Sequence, residues 1–190
     1  MTNTSGTNLS NAELVHPLEE FYALAGLSLP PWQRVESEEV PEPYHTLLVH
    51  QNDMTPTLER FHGDTIHLRV LGRRRKGGEY FREVVLLLNG TEKPVEFGAI
   101  KIYLDRFPAP ARELILAERR PLGTILRECA ITHDSRPKAF LKVASDKLIA
   151  SVLGFTGAHV LWGRCNTLLN PAGELLAEIV EILAPADRRP

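Results

Sequence analysis

The stretch Tyr80–Gly90 alternates in side-chain direction and is almost wholly apolar, which predicts a β-strand with two buried faces. One face carries Arg82 together with three aliphatic residues, Val84, Leu86 and Leu88. A guanidinium directed into an apolar face is costly unless an anion meets it. Two interpretations are open. Arg82 is either a structural arginine that reaches water or an internal carboxylate, or an arginine that binds an anionic ligand.

The rest of the pattern places helices first, then strands, a helical interruption and further strands. Helical spacing predicts helices over 13–26, 44–51, 55–62 and 111–119, and a short one opening at 121–123. Alternation predicts strands over 65–71, 80–88, 94–104, 140–143, 158–169 and 175–183. The basic sequence GRRRKGGE is interpreted as a turn, 27–43 as an irregular connection, and 146–153 as either helix or strand. This order is typical of an α+β fold, a mostly antiparallel β-sheet flanked by helices.

Length and composition predict one soluble globular domain. The chain has 190 residues, of which 43% are hydrophobic and 24% charged. The polar stretch 1–12 predicts a disordered N-terminal tail, and 13–186 a single domain. The net charge of −2 argues against a nucleic-acid partner. No apolar run approaches the roughly 20 residues of a membrane span.

The N-terminus lacks the basic region and apolar core of a secretory signal. Cys129 and Cys165 are too few for a disulfide scaffold, so we expect reduced thiols and a cytoplasmic location.

The sequence contains no pattern typical of a metal or phosphate site. The seven histidines form no HExxH, HxH or Cys–His arrangement at ligand spacing, and the glycine-rich segment lacks the GxxxxGK[ST] pattern. We therefore expect neither a metal nor a cofactor. Cys165 has no base beside it in sequence, so a nucleophilic role is not expected.

Four separated motifs nevertheless occur in a recognisable order. They are NDMTPTLERF (52–61), FREVVLLLNG (81–90), PLGTIL (121–126), and LWGRCN (161–166) followed by the strand ELLAEIVEILAP (174–185). Together they resemble the chorismate pyruvate-lyase family over about 44–185. Its members carry an SMT-like turn, an LRE strand, a PLG corner, an LWGR strand, and a final strand with Glu four residues before Pro.

The resemblance implies a fold, a reaction and a set of site residues. The fold would be a chorismate lyase-like antiparallel sheet flanked by helices, and the reaction would split chorismate into 4-hydroxybenzoate and pyruvate without metal or cofactor. Arg82 would hold a substrate carboxylate, the backbone amides at Met54 and Leu122 would line the site, and Glu181 would be the catalytic carboxyl. Ordinary core packing would equally account for Met54 and Leu122.

The chain also departs from the family. Asn52-Asp53 stands where a Ser-containing turn is usual, 144–155 looks like an insertion, and the last hairpin turn is longer. Glu178 competes with Glu181 because the two lie on opposite faces of one strand, so only one can point inward. Periodicity does not choose between them, whereas the spacing to Pro185 favours Glu181.

Two functions follow from the resemblance. The first is chorismate lyase activity, whose usual role is the supply of 4-hydroxybenzoate for ubiquinone biosynthesis. The second is a non-catalytic protein that binds a small aromatic carboxylate, since the fold is also similar to the effector-binding domain of bacterial transcription regulators. Such regulators carry an N-terminal winged helix-turn-helix, and the polar and proline-rich sequence before 44 does not predict one.

Overall fold

The computed structural model describes residues 14–186. Its helices are α1 (Leu18–Leu24), α2 (Tyr44–Leu48), α3 (Met54–His62), α4 (Ala109–Leu116), α5 (Leu122–Glu128) and α6 (Lys147–Leu153). Its strands are β1 (Trp32–Val35), β2 (Ile66–Lys76), β3 (Glu79–Leu88), β4 (Pro94–Tyr103), β5 (Asp134–Ala144), β6 (Val160–Leu169) and β7 (Leu175–Leu183). The tail predicted over 1–12 lies outside the described residues, and the single domain over 13–186 stays a prediction. None of the helices within 14–186 has both the length and the apolar character to span a membrane.

The strands form one sheet in the order β1-β5-β6-β7-β4-β3-β2, and every neighbouring pair is antiparallel. The α+β fold with an antiparallel sheet and flanking helices is therefore confirmed. β7, the last strand of the chain, lies between β6 and β4. It thereby brings Glu181 beside the middle of β4 at the centre of the sheet.

The two faces of the sheet are covered differently. On one face, α1 and α6 pack over a single apolar cluster that includes Phe81 and Val85 of β3. On the other face, α2 and α3 cover one cluster that includes Val84 and Leu86, while α4 and α5 cover a second. Arg82 lies on this second face, so the face that carries two separate clusters is the one that also carries the buried cation.

Two segments differ from the sequence expectation at the sheet edges. The predicted connection 27–43 contains the short strand β1, in which Val35 pairs with Phe140 of β5. The basic run Arg73–Lys76 is part of β2 rather than a turn, because it pairs with the start of β3. Long cationic side chains suit an edge strand, where they reach water or surface carboxylates. The turn itself is Gly77-Gly78.

The segment 146–153, which the sequence left open, is helical. The Asp146 side chain accepts a hydrogen bond from the backbone N–H of Ile149 at 2.8 Å, which caps α6 at its start. Gly154 ends the helix with φ at 72°, a left-handed conformation that glycine adopts without strain. The stretch 144–155 thus forms a helix on the sheet face opposite Arg82.

Candidate functional site

A cavity of about 60 Å³ lies between the centre of the sheet and the first turns of α3 and α5. Its floor consists of residues from β2, β3, β4, β6 and β7, and its roof of 53–55 and 121–123. The structure brings all four residues expected from the resemblance to the lining of this cavity, namely Arg82, Glu181, Met54 and Leu122.

Gly98 opens the floor of the cavity. It lies on β4 between Val84 of β3 and Glu181 of β7. A Cβ atom at this position would lie 2.6 Å from the carbonyl oxygen of Val180 and 3.5 Å from Oε1 of Glu96. The strands therefore approach closely here, and the missing side chain leaves room for polar groups on the neighbouring rows of the sheet.

The roof is formed by two helix starts that touch each other. A Cβ atom on Gly123 would lie 3.3 Å from Oγ1 of Thr55, so the first turns of α3 and α5 are in close contact. Neither helix has a side-chain cap, because Pro121 precedes α5 and the Asp53 carboxylate is bonded to Nε2 of His133 at 2.9 Å. The first N–H groups of a helix lack intrahelical partners, so both starts can offer backbone donors.

Arg82 is a buried cation whose hydrogen bonds are not all made. Its side chain is 2% exposed, and neither Nε nor Nη1 has a hydrogen-bond partner among residues 14–186. Burial lowers the pKa of its guanidinium to about 10, so it is cationic at neutral pH. The carboxylate of Glu118 interacts electrostatically with the Arg82 guanidinium. Its hydrogen bonds, however, are to Arg73 and to the Tyr80 hydroxyl.

Glu181 is 4% exposed and is paired with Arg164, which is fully buried. Nε of Arg164 donates to Oε2 of Glu181 at 2.5 Å. The other guanidinium nitrogens donate to backbone carbonyls in the loop before α3, including those of His50 and Asn52, both at 3.1 Å. Burial and the Arg164 charge lower the pKa of His50. Arg164 thus stabilises the carboxylate of Glu181 and holds the segment that positions Met54.

Glu178 lies on the opposite face of β7, outside the cavity. Its carboxylate accepts a hydrogen bond from the Tyr103 hydroxyl at 2.8 Å and lies 3.5 Å from Nζ of Lys138 and 4.0 Å from Nζ of Lys101. These partners account for Glu178 as part of a polar cluster, whereas Glu181 is the glutamate of β7 that reaches the cavity.

Two further polar residues of the cavity carried no role in the sequence analysis. Glu96 is 5% exposed, and its Oε2 has no hydrogen-bond partner in the described chain. Burial, and then the nearby Glu181, raise the pKa of Glu96 well above its usual range. The side-chain amide of Asn166 donates a hydrogen bond to Oγ of Ser135 at 2.9 Å. Its Oδ1 is buried and has no hydrogen-bond partner among residues 14–186. A glutamate within the apolar run Val95–Ile100 was the signal that could have revealed the first of them.

The described residues provide neither a cluster of metal ligands nor a reactive cysteine. No three of the His, Cys, Asp and Glu side chains within 14–186 come together as a metal site would require. Burial raises the pKa of Cys165 to about 12, so this cysteine is a protonated thiol at neutral pH. It packs in the apolar cluster on the face opposite the cavity.

No protein-family model matches the chain, and no curated protein matches it in sequence. Solved structures match it in fold. The effector domain of PhnF from Mycobacterium smegmatis is 12% identical, with 70% of this chain and 88% of that chain covered and a TM-score of 0.53. A structure of PhnF from the same organism is 10% identical, with 88% and 93% covered and a TM-score of 0.53. The product of a Staphylococcus aureus gene is 10% identical, with 70% and 87% covered and a TM-score of 0.50.

At such identities the likeness shows the fold alone. This antiparallel α+β fold is similar to that of the PhnF effector domain. The fold alone does not choose between the two functions considered in the sequence analysis, so that choice depends on the chemistry of the cavity.

Proposed function

We propose that the cavity binds a small aromatic carboxylate and that Arg82 is the partner of its carboxylate group. The observation that carries this proposal is the buried guanidinium, two of whose nitrogens have no partner among residues 14–186. A planar guanidinium binds a carboxylate through two parallel hydrogen bonds and stays charged when buried. An anionic ligand would supply both the missing charge and the missing acceptors.

The remaining lining suits an aromatic ring. Between the polar groups the cavity is bounded by aliphatic side chains, which include Leu68, Val84, Leu86, Ile100, Leu168 and Ile179. Apolar walls with a few convergent polar groups are typical of small-molecule sites. The effector domains that share the fold support a binding role that involves no chemical step.

Calorimetry with 4-hydroxybenzoate tests this proposal. We expect one site per chain, and we expect the neutral analogue 4-hydroxybenzamide to bind roughly 10- to 150-fold more weakly, the range for losing a charged hydrogen-bonded partner. Equal affinity for acid and amide would show that Arg82 does not bind the carboxylate. Absence of binding by either compound at millimolar concentration would rule out the proposed ligand class.

Chorismate lyase activity is the second candidate, and the carboxyl groups of Glu181 and Glu96 in the same cavity as Arg82 favour it. In this reaction the bond between the ring and the enolpyruvyl oxygen breaks, the ring loses a proton, and enolpyruvate gains one to become pyruvate. The aromatic ring makes the reaction strongly downhill with no net oxidation. The protein would hold the ring in one pose, exclude water and accept or deliver a proton.

Incubation with chorismate and measurement of released pyruvate separates the two functions. Pyruvate above the spontaneous rate, with 4-hydroxybenzoate formed in equal amount, would support the lyase. We expect such activity to survive dialysis against EDTA, and a loss that zinc or magnesium restores would reveal a metal requirement. Binding of 4-hydroxybenzoate without pyruvate release would support the binding function and argue against the lyase.

A further inference from the structure

We propose that Glu96 is the proton-bearing carboxyl of the cavity and that it donates a hydrogen bond to an oxygen of the ligand at the end away from Arg82. This inference rests on the proposed binding of an aromatic carboxylate. It names the second recognition element of that site and predicts which aromatic carboxylates the cavity selects.

The first support is the position of Glu96 in the sheet. On β4, Glu96 and Ile100 lie two residues on either side of Gly98, and Ile100 pairs with Arg82. Gly98 itself pairs with Glu181 on β7, so Glu96 and Glu181 are diagonal neighbours on one face. Because Gly98 has no side chain, the space between Glu96, Glu181 and Arg82 forms part of a single cavity. One small ligand can therefore reach both ends of it.

The second support is that Glu181 has a buried cation as its ion-pair partner and Glu96 has none within residues 14–186. Arg164 bonds to Glu181 and uses its other nitrogens for backbone carbonyls of the loop before α3. No salt bridge joins Glu96 to any cation within residues 14–186, although its side chain is as deeply buried as that of Glu181. When two neighbouring buried carboxyls share one bonded cation, ionising both is unfavourable because the second negative charge is buried without a partner. Since Arg164 is bonded to Glu181, we place the proton on Glu96.

The third support is the unpartnered oxygen. Oε2 of Glu96 is buried and has no hydrogen-bond partner in the described part of the chain. A protonated carboxyl carries an O–H donor, and burying this donor without an acceptor is energetically unfavourable. Burial first, and the Glu181 charge second, raise the pKa of Glu96, which is the direction that favours the protonated carboxyl. A ligand oxygen opposite the carboxylate end would satisfy this donor.

The test compares 4-hydroxybenzoate with benzoate, which lacks the para oxygen. We expect the native protein to bind 4-hydroxybenzoate roughly 5- to 150-fold more tightly than benzoate, the effect of leaving one buried polar group unpaired. Glu96→Gln keeps an N–H donor and should retain this preference. Glu96→Leu should remove the preference, so that the two compounds bind with similar affinity. Glu83→Gln changes a buried glutamate on the opposite face of β3 and is the matched control, expected to leave both affinities unchanged.

The outcomes separate this inference from the proposed function. A preference that Glu96→Leu leaves intact would overturn the role of Glu96, while benzoate binding that requires Arg82 would still support the proposed ligand class. A native protein that binds neither compound would overturn both.

A second measurement needs no ligand and covers the case in which Glu96→Leu does not fold. The charged groups that face Glu96 are Glu181 on β7, Arg164 on β6 and Arg82 on β3. In the unfolded chain Glu96 loses its proton near pH 4.5, whereas the folded chain retains it to higher pH. The native protein therefore loses stability relative to Glu96→Gln as the pH rises above about 4.5. We expect the difference in Tm between the two to be small near pH 4 and to grow toward pH 8. A constant difference across this range would overturn the inference.

Discussion

Arg82 illustrates how a single residue can be unfavourable for folding and useful for binding. Its burial removes a guanidinium from water, and two of its nitrogens gain no partner among residues 14–186. A buried charge left without its partner costs several kcal/mol, and replacement by an apolar residue of similar volume is often stabilising. The proposed ligand would supply the partner that the arginine lacks.

Arg82→Met is predicted to stabilise the protein and weaken ligand binding at the same time. The unfolding free energy should rise by roughly 1–4 kcal/mol, because the methionine needs no buried hydrogen bonds. The affinity for 4-hydroxybenzoate should fall by roughly 1.5–3 kcal/mol. Urea denaturation and calorimetry measure the two effects. Arg136→Met, at an exposed position, is the control. A destabilised Arg82→Met would show that the guanidinium has a structural role.

At the residue scale, the sequence predicted those features that depend on strand alternation. The face shared by Arg82 and Leu86 follows from a period of two. Periodicity did not choose between Glu178 and Glu181, and the inward position of Glu181 was predicted from the spacing to Pro185. The roles of Arg164 and Glu96 depend on which strands are neighbours, and this is decided by long-range pairing. The LWGR motif marked Arg164 as part of the resemblance, but only the register shows that it lies opposite Glu181.

At the level of elements, β7 separates the roles of its two glutamates. If the protein is a lyase, Glu181→Gln should lower turnover roughly 10²–10⁴-fold, because the amide cannot exchange a proton. Affinity for 4-hydroxybenzoate should change less. Glu178→Gln should leave turnover nearly unchanged, since its partners Tyr103, Lys101 and Lys138 lie on the other face. The pyruvate assay on both variants, with circular dichroism for folding, tests this, and an inactive Glu178→Gln would contradict it.

The close approach of β4 and β7 makes a second prediction at this scale. Gly98→Ala would place a Cβ atom 2.6 Å from the backbone oxygen of Val180, which cannot move without disturbing the ladder. We expect a loss of roughly 1–3 kcal/mol in unfolding free energy, as for other overpacked sites. Gly123→Ala is a milder comparison, because its nearest neighbour is the Thr55 side chain at 3.3 Å. Equal stability of Gly98→Ala and the native protein in urea denaturation would contradict this account.

The elements that the sequence failed to predict are those with weak local signals. β1 has four residues and follows a proline-rich segment, so its strand conformation depends on pairing with β5. The basic half of β2 resembles a turn in composition, yet it forms a strand because β3 offers a complete row of partners. By contrast α3 ends at Gly63 as expected, where φ is 68° and glycine is the residue that adopts this conformation easily.

At the scale of the whole molecule, the cavity is closed on one side by a rigid sheet and on the other by two short helix starts. Its volume of about 60 Å³ is below the roughly 300–1,000 Å³ typical of ligand pockets. The central strands are held on both sides by antiparallel partners. The first turns of α3 and α5 lack side-chain caps, so we expect the enclosure to open at the contact between them.

Binding of an aromatic carboxylate is therefore predicted to change the helix starts and leave the opposite face of the sheet unaltered. With saturating 4-hydroxybenzoate, amide hydrogen exchange should slow at 53–55 and 122–125, where backbone donors gain an acceptor and the roof closes over the ring. Exchange in α1 and α6, on the other face, should change little. Arg82→Met with the same ligand concentration is the control and should show clearly weaker protection, because its affinity for the ligand is lower. Uniform slowing over both faces would indicate global stabilisation by mass action, and unchanged exchange at both helix starts would place the ligand outside this cavity.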